Sequence, residues 1–200
     1  ALKDKGIEVR SFNASLLREP WEISTQKGGA YKVFTPFWKT LLMLGEPDQP
    51  ILAPSRIPAP SSFPQSEWLN SWSLLPTLPN WAGGFQDTWT PGEGAAHSRL
   101  HAFIDRAVFD YQDRRNLPGV SGTSRLSPYL HFGEIGPRQI WNAVVTSALK
   151  HSGSPMPRGV YTYLSEIAWR EFSYHLLYNF PDLTSKPLRK EFFHFQWEDD

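Results

Sequence analysis

The sequence contains no cysteine and only two methionines. Without cysteine there can be no disulfide, no thiolate metal site and no cysteine nucleophile, which suits an intracellular protein. Net charge is missing as well: 20 basic side chains stand against 20 acidic ones. Such a balance argues against a basic nucleic-acid-binding tail and still leaves room for a local basic patch. No apolar run approaches the roughly 18 residues that a membrane span needs, and no signal-peptide pattern opens the chain. No membrane partner and a cytoplasmic location are therefore expected. No glycine-rich nucleotide fingerprint follows a strand, no internal repeat is visible, and strand-like alternation is absent after residue 90.

Aromatic residues are abundant. Nine Trp, seven Tyr and thirteen Phe make up 14% of the 200 residues. So many large rings serve a thick core, a stacking surface for bases or a planar cofactor, or an electron path.

The opening ALKDKGIEVRSF reads as a helix end stopped at Gly6, followed by a short strand through Ile7 and Val9. A lone helix end and strand do not make a stable unit, so the chain is expected to belong to something longer. Pro36 then opens a helix that runs to Gly45. Nine of the eighteen prolines fall between residues 46 and 91, where helices cannot run far. That stretch also carries Trp68, Trp72, Trp81 and Trp89, so it is expected to be a strap with its aromatics packed onto a domain.

The remainder reads as helical. From Ala96 to Arg115 the residues Leu100, Phe103, Ile104, Ala107, Val108 and Tyr111 form one stripe at helical spacing. A second helix begins at Pro137 and ends before Gly153, and a third runs from about Gly159 to Asn179.

Two constellations could carry chemistry. The first is GTSRLSP, residues 122–128, where Ser127 before Pro128 is a helix-start signal and Thr123, Ser124 and Arg125 add further donors. Free first-turn amides beside those donors suit an anion, and a capped helix with a polar loop explains the same residues. The second is YLSEIAWREFSYHLL, residues 163–177. Leu164, Ile167, Ala168, Phe172 and Leu176 form its buried stripe, while Glu166, Trp169, Arg170 and Ser173 share another face. Carboxylate, indole and guanidinium together suit a flat polar ligand with a phosphate; a surface Glu–Arg pair beside a half-exposed Trp is the plainer alternative. His97 and His101 have a zinc-like spacing but lack a third ligand, so no metal is expected.

In this order, YKVFTPFWK, YQDRRNLPGVSGTSRLSPYLHFGEIGPRQIW, YLSEIAWREFSYHLL and FQW resemble the DNA photolyase/cryptochrome family, most closely its bacterial class I cyclobutane-dimer photolyases. The resemblance implies a mainly α fold. Residues 1–45 would be the end of an α/β antenna domain, 46–95 an interdomain linker, and 96–200 the first part of an all-helical FAD-binding domain. It implies FAD as cofactor, a second antenna chromophore of unspecified identity, and DNA containing pyrimidine dimers as partner. In that family light excites the reduced flavin, which passes an electron to a flipped-out dimer; base flipping by photolyases is a general feature.

By the same resemblance Tyr111, Thr123, Ser124, Arg125, Leu126, Ser127 and Glu166 hold FAD, and the Glu166 carboxyl also hydrogen-bonds the dimer as a catalytic group. Arg115 and Arg170 contact DNA, Trp169 packs against the dimer, and Trp197 is the outer end of a tryptophan electron chain. The family's second flavin-binding half would lie beyond Asp200, so the chain by itself is expected to be inactive; a monomer is expected. A cryptochrome or a (6-4) photolyase shares the fold and cofactor, and a non-enzymatic helical interaction module is the reading of another class.

Overall fold

The computed structural model describes residues 2–75, 78–152, 156–195 and 198. Seven α-helices are present among them: α1 Phe34–Met43, α2 Phe85–Thr88, α3 Glu93–Arg106, α4 Tyr111–Arg114, α5 Ser127–Phe132, α6 Pro137–Ser152 and α7 Arg158–Asn179. Short 3-10 turns accompany them, and no strand occurs among the described residues.

Helix α7 is the axle of the molecule, with α1, α4, α6 and the 3-10 turn Pro20–Glu22 packed around it. One side of α7 buries Val160, Leu164, Ala168 and Phe172 against a core that includes Phe37, Trp38, Ile140, Trp141 and Val144. Fully burying side chains of this size contributes about 1.5–3 kcal/mol each, so this seam dominates the stability of the fold.

Two polar residues sit in the same buried seam, Glu171 and His175. The Oε2 of Glu171 accepts the backbone N–H of Leu17 at 2.8 Å, and the Nε2 of His175 accepts that of Tyr31 at 3.0 Å. Both bonds reach the first 31 residues and tie that irregular segment to α7, giving buried amides the partners they need. Arg138 on α6 donates to the Leu17 carbonyl at 3.2 Å, and the Trp141 indole donates to Glu46 at 2.5 Å.

Three expectations need correction. Ile7 and Val9 form no strand; both are exposed, and the Ile7 N–H donates back to the Leu2 carbonyl at 3.2 Å rather than to a neighbouring strand. The stripe from Leu100 to Tyr111 is buried as expected, but the helix breaks at Ala107 before α4 begins. The break accommodates the start of α7. A Cβ on Gly159 would lie 2.1 Å from the Phe109 carbonyl oxygen, so the two backbones touch where a continuous helix could not pass.

The proline-rich strap differs most. Trp68, Trp72 and Trp81 are exposed, and only Trp89 packs against the core. Their contacts are local: Trp72 donates to Glu67 at 2.8 Å and Trp81 meets Phe85 edge-on at 5.9 Å. Proline removes the backbone donors by which such a segment would pair with a neighbour.

Candidate functional site

A cleft of about 920 Å³ opens between α7 and the loop that precedes α5. Cofactor and ligand sites run to about 300–1,000 Å³, so it is large enough for one. Its walls contain Tyr111, Thr123, Ser124, Arg125, Leu126, Ser127, Glu166 and Arg170, residues that stand 59 positions apart at the extremes.

The loop wall is built without the expected cap. Ser127 makes no capping hydrogen bond, because α5 takes Leu126 as its N-cap residue and Pro128 fills the first turn. Its hydroxyl is thus not used on its own helix. Leu126 is buried and anchors the loop to the core. Arg125 adopts φ +52°, the left-handed region that non-glycine residues seldom take. Gly122 carries the loop past α4; a Cβ there would come within 2.8 Å of the Arg114 carbonyl.

The helix wall consists of Tyr163, Glu166, Ile167, Arg170 and Tyr174, at i, i+3, i+4, i+7 and i+11, one face of α7. This face is rotated from the one expected. Glu166 and Arg170 belong to it, whereas Trp169 and Ser173 are not part of the lining. Trp169 instead lies face to face with Phe34 of α1, ring centres 3.8 Å apart and planes 10° from parallel. Phe172 meets it edge-on at 5.9 Å, and the residue remains 45% exposed.

Arg115 stands outside the lining but reaches the site through an ion pair with Glu166. That hydrogen bond holds the guanidinium above its ordinary pKa. Arg115 also lies over the Tyr111 ring at 5.6 Å. Burial pushes the Tyr111 phenol up, with Arg115 opposing and Glu166 adding to the shift. Arg170 donates to the Ser15 carbonyl at 2.5 Å and approaches Glu171 at 3.5 Å. Trp197 lies outside the described residues.

Tyr163 was not anticipated as a site residue. It lines the cleft, its hydroxyl is buried and makes no well-formed hydrogen bond, and burial pushes its pKa up against the pull of nearby Ser124. A buried hydroxyl without a partner normally costs about 1–3 kcal/mol, and a bound polar group would remove that cost. Its spacing from Glu166 and Arg170 was the available signal; as an apolar-looking ring it reads simply as core. Trp89 and His131 at the rim were likewise not anticipated.

The donor set fits a flat cofactor with phosphates: hydroxyls and an arginine on one wall, an orphan phenol and aromatic surface on the other. Such a wall can hydrogen-bond a phosphate and ribityl chain, and a ring can lie against Tyr163 and Ile167.

Comparison with known proteins gives the same direction. The sequence profile described as DNA photolyase matches residues 1–58. A deoxyribodipyrimidine photo-lyase of Agrobacterium fabrum is 45% identical over 199 residues, covering all of this chain and 41% of that protein. Cryptochrome-1 of Arabidopsis thaliana is 30% identical, again across the whole chain and 30% of that protein. The crystal structure of a bacterial class III photolyase from Agrobacterium tumefaciens superposes with a TM-score of 0.89 at 44% identity, covering all of this chain and 40% of that one. The structural likeness is thus to a class III enzyme, where the sequence resemblance pointed to class I. The chain spans about two fifths of the length of the first of these photolyases. By sequence and fold alike, the chain belongs to the DNA photolyase/cryptochrome family.

Proposed function

We propose that the chain supplies the flavin-facing and damage-facing walls of a deoxyribodipyrimidine photo-lyase, which splits cyclobutane pyrimidine dimers in DNA. The observation that carries this reading is the meeting of the loop hydroxyls, Glu166, Arg170 and the orphan Tyr163 hydroxyl around one cleft. When bound there, FAD supplies light absorption and the electron that opens the dimer.

The chain's own residues hold and orient. Thr123, Ser124 and Ser127 donate to the phosphates and ribityl chain, with Arg125 and Tyr111 beside them. Arg115 holds the Glu166 carboxylate in place through their ion pair, so that it can accept hydrogen bonds from a base edge. Trp169 offers the face away from Phe34 to a flipped base, and Phe34 backs the ring. Arg115 and Arg170 carry charge at the mouth for DNA phosphates. Trp197 is proposed as the outer end of an electron chain, and a second antenna chromophore of unassigned chemistry belongs to the reading. A repair role places the protein with DNA in the cytoplasm, acting as a monomer; the described residues include no helix long and apolar enough to cross a membrane.

The test is illumination of a polypeptide of photolyase length that contains this chain, loaded with reduced FAD, on thymine-dimer DNA. Loss of dimers is expected. A flavin-loaded protein that leaves dimers intact points to a cryptochrome or a (6-4) photolyase, and one that binds no flavin points to an interaction module.

A further inference from the structure

The proline-rich strap is fastened at its two ends and open between them. At its start the Trp141 indole donates to Glu46 and Arg138 pairs with Asp48 at 3.4 Å. Further along, Ile51, Leu52, Phe63 and Trp68 lie in solvent.

The far end, residues 89–92, is tied to three places in the helical body. Arg99 of α3 lays its guanidinium over the Trp89 ring at 5.2 Å and over the Tyr129 ring at 5.9 Å. The Trp89 and Tyr129 rings meet edge-on at 6.3 Å, and the Tyr129 hydroxyl of α5 donates to the Thr90 carbonyl at 2.9 Å. The Gly92 N–H donates to the Glu134 carboxylate, just beyond α5, at 2.8 Å. Gly92 itself turns the chain into α3 at φ +106°, a backbone conformation open to glycine and rarely to other residues. The point of greatest backbone freedom is therefore the point that Glu134 holds.

Trp89 is also part of the cleft wall, the strap's one contribution to that lining among the described residues. A large half-buried ring thus borders the cleft on a segment whose upstream neighbours are exposed. A wall residue carried on such a segment can swing away by local opening, and each tie raises the free energy of that opening.

We propose that residues 89–92 form a latch on the cleft, with Trp89 as its bolt and Gly92 as its hinge, held shut by Tyr129 and Glu134. The latch sets how fast a bound flavin escapes. The inference rests on the flavin reading of the cleft and adds to it a control of cofactor retention.

The experiment uses the flavin-loaded polypeptide of photolyase length. Rapid dilution with recovery of free-FAD fluorescence gives the escape rate, and FAD uptake by the stripped protein gives the entry rate. The variants are Trp89→Ala, Tyr129→Phe and Glu134→Ala. Tyr129 and Glu134 do not belong to the described lining, and Tyr129→Phe keeps the buried ring. Escape is expected to be at least fivefold faster in Trp89→Ala and at least twofold faster in each tie variant. Entry should not slow in any of them, because the ties act on the closed state. Trp89→Phe, which keeps a packed ring, should fall between Trp89→Ala and the native protein, and it decides the matter if Trp89→Ala does not fold. Faster escape in the Trp89 variants alone overturns the latch and leaves Trp89 a plain wall contact. Unchanged escape in every variant of a protein that binds FAD also overturns it, with the flavin reading intact. A native polypeptide that takes up no FAD overturns that reading and the latch together.

Discussion

Glu171 places a carboxylate where the helix pattern calls for an apolar residue. Burial pushes its pKa up from 4.5 to about 7, although the N–H groups of Leu17 and Arg18 and the charges of Arg170 and Arg138 pull it back. Because the folded-state pKa is the higher one, the folded protein binds more protons than the unfolded chain between these values. The stabilisation is complete below about 4.5 and is lost as pH rises through about 7. At about 1.4 kcal/mol per unit, the loss is on the order of 3 kcal/mol. Glu171→Gln keeps an acceptor for Leu17 and cannot ionise. Its thermal midpoint is therefore expected to gain on the native protein between pH 5 and pH 8; parallel curves would show that the carboxyl does not titrate there. Glu171 was legible in principle, since 164, 168, 171 and 175 follow one stripe, but charge made it look like surface.

Trp169 is the residue whose surroundings differ most from expectation. One face is occupied by Phe34, which leaves only one for a base. Base–aromatic stacking is worth about 1–3 kcal/mol, so Trp169→Ala is expected to weaken binding of dimer-containing DNA by about 5- to 150-fold. Undamaged duplex, which presents no flipped base, should bind almost as before. Phe34→Ala is expected to have the same preference at smaller size, through loss of the supporting ring. Equal losses on both DNAs, measured by titration, would return Trp169 to a packing role.

At the scale of the element, α7 shows why part of the site could be read and part could not. Its period was plain, and Glu166 and Arg170 were placed on one face correctly. Which flank of that face meets the cleft depends on α1 and α4, and their positions are not written in α7. The loop 123–127 was legible because its hydroxyls exceed what a turn needs. The break between α3 and α4 was not, because the residues on both sides keep helical spacing; its cause is Gly159, some fifty positions away. Gly159→Ala is expected to cost about 3 kcal/mol, since the backbone of Phe109 must retreat. Gly94→Ala, which meets nothing within 4 Å in the first turn of α3, is expected to stabilise by up to about 1 kcal/mol. Chemical denaturation of the two variants checks both signs.

Across the whole molecule, the helical class and the order of segments were legible, and the condition of the proline-rich strap was not. Tryptophans there signalled burial, yet Trp68, Trp72 and Trp81 lie open to solvent. Limited proteolysis is expected to cut first between residues 51 and 88 and to leave α3–α7 intact; early cleavage within α6 or α7 would contradict the packing described.

The tie between the first segment and α7 bears on how such proteins can be recombined. Leu17, Ile23, Phe37, Trp38 and Leu41 share one core with α6 and α7. A chimera spliced at residue 45 would part these side chains from the helices they evolved with, leaving Glu171 and His175 without their amides. The seam that preserves inherited partners lies upstream, before Asn13, where the exposed start of the chain touches little. Module exchange in this lineage, by nature or in the laboratory, is expected to respect that earlier boundary.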